Sequence, residues 1–443
     1  MRTTTAMRSR TATRATTVSQ HSLSRRGLLR LGGALAGAAA GGALLAGYAS
    51  SDNRRTTIRF LQNKPEAIPY FDQLIEQFHR AQSEVYVVHD STPAALTPQF
   101  ARGTPPDLGC YNYNLETSNF LARGELSDLG RLPEARRIDA EVQDLVGQYA
   151  QYKSETSVLP YSVTAAGVIY NKDLFEKAGV EIPRTWSELL RACKTFKARG
   201  IVPVLQTYKE TWTLAQGLFD YVSGSALDVA AFFTRLKELG PKAGPGAEVS
   251  FGKDFKDAVE KMLVLASYTN TDAPSRTYYD GNVAFAHGKA AMYLQGPWAI
   301  GEVEKINPKA RLGTFALPAT EDPEDVKVRV NLDLALWIPN ASSEHNAATA
   351  FLRYLMRPEV MDAYNAKHLA WSPTRNAPAM RDERVAGIQS YVDAGRFYQG
   401  AGTYFPGAIP LGNYLQELLI GGNADAFLRK LDDDWARYAQ RSL

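Results

Sequence analysis

The sequence predicts an α/β fold, with sheets of parallel strands flanked by helices. Two observations carry this. Over residues 56–110, short apolar runs alternate with a helical hydrophobic period in the order β-α-β-α-β. That is the pattern of a parallel sheet covered by helices. The second observation is a recurring unit: a short apolar strand, a break, then an aromatic residue at the opening of a helix. It occurs at 201–212 and again at 290–298. In open α/β sheets the carboxyl ends of strands are where ligands bind.

Residues 56–61 (TTIRFL) are the first expected strand, with Gln62, Asn63 and Lys64 at its end. Phe71, Leu74, Ile75 and Phe78 then fall at helical spacing over 70–82. Residues 84–89 (EVYVVH) and 108–110 read as the next strands. Tyr111, Asn112, Tyr113 and Asn114 follow directly, supplying ring faces and amide groups together. Such a run suits either a surface turn or a ligand site. Residues 163–170 are a strand, and Asn171 or Asp173 can cap the helix after it. Thr185 with Glu188 makes a capping box. Residues 201–205 are a strand, followed by Gln206, Thr207, Tyr208 and then Trp212 at a helix opening.

The stretch 280–303 (DGNVAFAHGKAAMYLQGPWAIGEV) organises the rest. Val283, Phe285 and Ala286 give a short helix an apolar face, and Gly288 is placed to end it, since glycine accepts a left-handed backbone. Residues 290–294 form a strand. Gly296-Pro297 breaks it, with Pro297 suited to the first turn of a new helix. Trp298 then stands at a strand's carboxyl end and a helix's amino end, as a core residue or as a platform for a flat apolar face. Later, 327–339 is a long strand with Asn331 and Asp333 on one face. Helices are expected over 345–356, 413–420 and 425–438.

Three runs together resemble one family. F-x-x-GKAAM, a strand and GPW at 285–298, PYSVTAAGVIYNKDLF at 160–175, and PRTWSEL at 183–189 are similar to family 1 extracellular solute-binding proteins, the sugar-capturing subunits of ABC importers. The resemblance covers about residues 55–443. It implies a two-lobed type II periplasmic-binding fold with three crossovers at the hinge. Lobe one would comprise 55–163 and 313–368, and lobe two 164–312 and 369–443. Thr164 would lie in the cleft at the first crossing, and Trp371 at the third. Stacking would fall to Tyr111, Tyr208, Trp212 and Trp298, and hydroxyl pairing to Asn63, Asn112, Asn114, Thr164 and Asp333. Trp371 and Tyr414 are further candidates for ligand contact. The implied ligand is a neutral di- or oligosaccharide, the partners are membrane permease subunits, and the protein is expected to be a monomer. Alternatives are a secreted carbohydrate-active enzyme on a similar scaffold, or a binder coupled to a signalling receptor.

Charge and the amino terminus set the compartment. Of the 443 residues, 45% are hydrophobic and 22% charged, as in ordinary soluble proteins. The length suits two or three domains of roughly 150 residues. The net charge of +3 hides a division, because residues 1–50 hold seven arginines and no acid. The remainder is mildly acidic, which argues against nucleic acid as a partner. Ser24-Arg25-Arg26-Gly27-Leu28-Leu29-Arg30, the apolar run 31–46 and small residues near Ala49 resemble a twin-arginine export signal over 1–49. The family's lipobox cysteine is replaced by Tyr48 in Leu45-Ala46-Gly47-Tyr48. The protein is therefore expected outside the cytoplasm, released or held at the cell surface.

Catalytic signatures are missing. There is no G-x-S-x-G and no H-E-x-x-H, and Val283 and Ala290 break any phosphate-loop reading of Gly288-Lys289. Six histidines show no ligand spacing, so neither metal nor cofactor is expected. Asp432, Asp433 and Asp434 read as a solvated helix face. Cys110 and Cys193 are expected as free, buried thiols.

Overall fold

The computed structural model describes residues 55–92 and 95–441. The export signal expected over 1–49 lies outside them.

Two sheets organise the described chain. In the first, β1 (Thr56–Leu61) pairs in parallel with β2 (Val85–Asp90) and β3 (Leu108–Tyr111). The helix Ile68–Ala81 buries Phe71, Leu74, Ile75 and Phe78, the four residues its spacing singles out. Phe60 of β1 meets Phe71 and, edge-on, Phe351 of the helix His345–Leu355, with ring centres 5.7 and 5.1 Å apart. Each such ring contributes roughly 2–3 kcal/mol by leaving water.

In the second sheet the order is β6 (Val202–Leu205), β7 (Ala290–Tyr293), β5 (Val168–Asn171) and β8 (Leu312–Phe315). β6 and β7 are parallel, while β5 runs antiparallel to both β7 and β8. The parallel rule therefore holds where helices connect the strands, and fails where the chain passes between sheets.

Those passages converge on one ribbon. β4 (Leu159–Ala166) runs antiparallel to β9 (Val328–Trp337) along nearly its whole length. The far end of β9 also pairs with β3, and its near end with β10 (Phe397–Gln399). The single strand expected over 163–170 is in fact two. Gly167 divides β4 from β5, and only glycine fits there, since a Cβ would lie 2.7 Å from Ile388 and 2.8 Å from the Phe315 carbonyl. The third passage is pinned to the first: Trp371 N–H donates to Val163 O at 2.7 Å, and Val163 N–H donates back at 3.0 Å.

Cys110 and Cys193 are both free and buried. Asp432 departs from the solvated face expected of it. It is 3% exposed and accepts the N–H groups of Phe251 and Gly252 at 2.7 and 3.0 Å, which caps the short helix Phe251–Asp254.

Candidate functional site

One face of β9 carries Arg329, Asn331 and Asp333, as the two-residue period of a strand requires. Thr164 of β4 stands opposite Asn331 in the ladder. Lys64, just past β1, reaches Asp333 with its Nζ 2.5 Å from Oδ2, and Glu66 lies 3.6 Å from the same ammonium. Burial alone would lower the Lys64 pKa, but Asp333 and Glu66 outweigh it and raise the value. At the other end Arg329 Nε donates to Asp220 at 2.9 Å, and its Nη2 donates to Asn331 at 3.1 Å. Asp220 also accepts the Gly402 N–H at 2.6 Å. Burial raises the Asp220 pKa, with Arg329 and Gly402 opposing. A polar line thus runs along the ribbon from the end of β1 to the helix Asp220–Ala226.

Against this line stand the strand ends of the second sheet. β7 ends at Tyr293; Leu294, Gln295 and Gly296 follow, and the helix Pro297–Ile306 then begins with proline in its first turn. The Trp298 ring folds over Gly296, whose missing Cβ leaves the space it occupies. Trp298 is half-buried, and its Nε1 is buried without a protein partner. Trp371 Nε1 is in the same condition. After β6, the Gln206 backbone is clamped by Asn270, which accepts its N–H at 2.8 Å and donates to its carbonyl at 3.2 Å. The Gln206 side chain is left without partners at either amide atom.

Several buried polar atoms at these strand ends lack partners, as do others elsewhere in the described chain. Gln62 and Gln206 have both amide atoms unpaired at 0% and 1% exposure, and Gln295 Oε1 and Thr164 Oγ1 join them. A buried polar atom left unpaired costs about 1–3 kcal/mol, so native folds keep few of them. Unpaired amides just past the strands, with two indole rings whose Nε1 atoms are also unpaired, suit a ligand that is apolar on its faces and rich in hydroxyls at its rim.

The two walls approach each other here. Glu66 follows β1, yet its charge helps raise the phenol pKa of Tyr278 beside the second sheet, after burial and together with Glu302. Trp212 packs edge-on against Tyr278 with ring centres 5.0 Å apart, and remains 38% exposed. His368 closes the helix Pro358–Lys367 with its ring 4.4 Å from Tyr364. Burial, then Lys64, lowers its pKa to about 4.

The expected ligand contacts divide. Thr164, Asp333, Asn112 and Trp371 come together around the ribbon, with Asn112 Nδ2 3.4 Å from the Asp333 carbonyl, and Trp298 opens the helix Pro297–Ile306, which reaches β4. Tyr111 ends β3 half-buried, and burial raises its phenol pKa. Asn63 donates to Thr92 O at 3.2 Å. Trp212 packs on Tyr278. Asn114 caps the helix Leu115–Ala122, accepting Thr117 N–H at 3.1 Å. Tyr208 is 4% exposed, with its hydroxyl 3.4 Å from Thr269. Tyr414 donates to Asp434 at 2.6 Å and has Lys430 3.9 Å over its ring, so it engages the helix Ala424–Arg441. Gln62, Lys64, Gln206, Gln295 and Arg329 were not singled out from the sequence. Their signal was there: Gln62 and Gln206 directly follow apolar strands, Gln295 and Lys64 come two and three residues past one, and Arg329 extends the Asn331–Asp333 alternation. Among the described residues no cluster of His, Cys, Asp or Glu could hold a metal ion, and no helix is long and apolar enough to cross a membrane.

Residues 64–362 match the family model for bacterial extracellular solute-binding proteins. The chain is 27% identical over 327 residues to the multiple sugar-binding protein of Streptococcus mutans, covering 71% of this chain and 74% of that one. Among solved structures, RafE of Streptococcus pneumoniae in complex with raffinose is similar with a TM-score of 0.74 at 22% identity, over 87% of this chain and 100% of that one. A sugar transporter from Bacillus licheniformis in complex with stachyose is similar with a TM-score of 0.69 at 16% identity, over 86% of this chain and 100% of that one. Likeness at these identities carries the fold: two lobes, type II.

Proposed function

The chain belongs to the bacterial extracellular solute-binding proteins, and from that premise we propose that it captures a neutral di- or oligosaccharide between its two sheets. The loaded form would then be handed to the membrane permease of an ABC transporter. The observation that carries the reading is that the amides of Gln62 and Gln206, each directly after a strand, and the indole Nε1 atoms of Trp298 and Trp371 are all buried without partners. Indole faces stack on sugar C–H surfaces, while the amides and Thr164 pair with hydroxyls. The named ligands of the similar proteins, raffinose and stachyose, are of this chemical class. Contact by Asn63, Asn112, Tyr111, Trp212 and Asp333 belongs to the same reading.

The lobes would divide at 163/164, 312/313 and 368/369. Sheet membership supports the division with three adjustments: β4 stays whole in the first sheet through Ala166, β8 stays with the second sheet, and β10 joins the first. Closure of the lobes on the sugar would shift the population from open to closed. The reading includes export through the 1–49 signal, no lipid anchor at Tyr48, a monomer, and no chemical step on the ligand. Calorimetry on the mature chain with a panel of neutral saccharides tests it. Saturable binding, with the sugar recovered unchanged after hours, is the expected result. A folded protein that binds no member of the panel, or that cleaves one, overturns it.

A further inference from the structure

We infer that Asp333 sets the charge class of saccharide the cleft accepts. By holding Lys64, it keeps acidic sugars out while leaving hydrogen-bonding capacity for neutral ones. The inference rests on the saccharide reading above and deepens it.

Lys64 is the cation placed at the end of β1, where the first sheet offers its ligand-facing edge. Alone, such an ammonium would favour the carboxylate of a uronic acid. It is not alone. Asp333 Oδ2 lies 2.5 Å from Nζ and Glu66 Oε1 lies 3.6 Å from it, with the Lys64 side chain 18% and the Asp333 side chain 6% exposed. Two carboxylates therefore face one ammonium, and these three groups together carry one net negative charge. Across the gap, Glu302 is paired with Lys305 at 2.6 Å and adds no net charge. A uronate entering here gives up water and gains a second and third like charge as neighbours. Specificity built from such repulsion is a common device.

A neutral sugar meets the same groups differently. The ammonium has three donors, so it retains N–H groups beyond the one given to Asp333. The carboxylate retains lone pairs. Each can bond a hydroxyl, and hydrogen bonds to ionised groups are stronger than neutral ones. Arg329 does not alter this balance, because Asp220 already neutralises it. Asp333 is the controlling partner. It is fixed on β9 in the Arg329–Asn331–Asp333 face, whereas Lys64 reaches it on a long side chain from a loop.

The test compares two ligands of one length: a neutral trisaccharide and a trigalacturonate, titrated by calorimetry at low salt into four proteins. These are the parent, Asp333→Asn, Glu66→Gln, and the double variant Asp333→Asn/Lys64→Met. The parent is expected to prefer the neutral sugar by roughly 100-fold, in line with like-charge exclusion at an interface. Asp333→Asn should narrow that ratio at least about tenfold, through gained affinity for the uronate. Adding Lys64→Met should abolish the gain. Glu66→Gln, at a more exposed carboxylate, should narrow the ratio by a few-fold, and it decides the matter if Asp333→Asn does not fold. A parent that binds both ligands alike overturns the inference. So does a folded Asp333→Asn with an unchanged ratio. A parent that binds the uronate and no neutral sugar overturns both this inference and the neutral-saccharide reading. A parent that binds neither class overturns the functional reading itself.

Discussion

Arg329 and Asp220 meet at 2.9 Å with neither side chain exposed to solvent. One stands on the ribbon that joins the sheets, the other on a helix beside the second sheet. The pair therefore fastens that helix to the crossing. Removing one partner leaves a buried charge unmatched, so Asp220→Asn or Arg329→Met should destabilise the protein by about 3–5 kcal/mol. Replacing both with apolar residues should recover most of that loss. Denaturant titration of the three variants reads the difference; equal losses in single and double variants would mean the pair acts only by its volume.

Trp298 should be worth more to the ligand than to the fold. Trp298→Ala is expected to weaken sugar binding by about 2 kcal/mol, roughly thirtyfold. Trp298→Phe keeps a flat face but removes the unpartnered Nε1 donor, and should lose only about 1 kcal/mol. Calorimetry with the best sugar orders the three proteins. Parent-like affinity in the alanine variant would show that the ring is no platform.

Gly296 supports that ring by lacking a side chain. Its Cβ would collide with Trp298, so Gly296→Ala must move the indole or the backbone. Overpacking of this kind costs about 1–3 kcal/mol. The expected result is a lower melting temperature together with weaker binding, measured on the same preparation. Loss of stability with binding intact would place the ring outside the contact surface.

Gln206 offers the opposite trade. Both atoms of its amide are buried and unpaired, so Gln206→Met should stabilise the ligand-free protein by about 1 kcal/mol while weakening sugar binding. Thermal melts with and without sugar separate the two effects. A variant that melts lower without ligand would show that the amide serves the fold.

His368 predicts an acid limit. Its pKa is lowered to about 4 from an ordinary 6.5, first by burial and then by the Lys64 charge. The unfolded chain takes up a proton below about 6.5, while the folded chain refuses it until about 4. This share of stability is therefore complete above about 6.5 and is lost as pH falls to about 4. The loss is at most about 3 kcal/mol, from 1.36 kcal/mol per pKa unit. His368→Gln should flatten stability across that window, as followed by denaturation at several pH values. An unchanged slope would reassign the acid sensitivity.

Local rules were legible in the sequence; partnerships across it were not. Gly288 sits at φ +66° after the helix Tyr278–Ala286, and Thr185 accepts the Glu188 N–H at 3.2 Å. Both follow from residues a few positions apart. Trp298 at a strand end and helix start needed only Gly296-Pro297. By contrast, Lys64 and Asp333 are 269 positions apart, and no periodicity joins them. Asp432 reads as part of an acidic surface until the Phe251 and Gly252 N–H groups arrive from elsewhere in the chain. Asn114 and Tyr414 have the chemistry of ligand contacts, but a helix start and a neighbouring carboxylate claim them.

Gly167 is the whole of the chain between β4 and β5. A joint one residue long has almost no slack, so the halves can pivot about it but can scarcely slide. Displacement then grows with distance from the pivot. In the proposed swing Thr164, three positions away, would keep nearly the same address, whereas residues farther from the joint would travel along wider arcs. The deep end of the groove can be rigid enough to judge the guest, leaving the outer lip to announce its arrival.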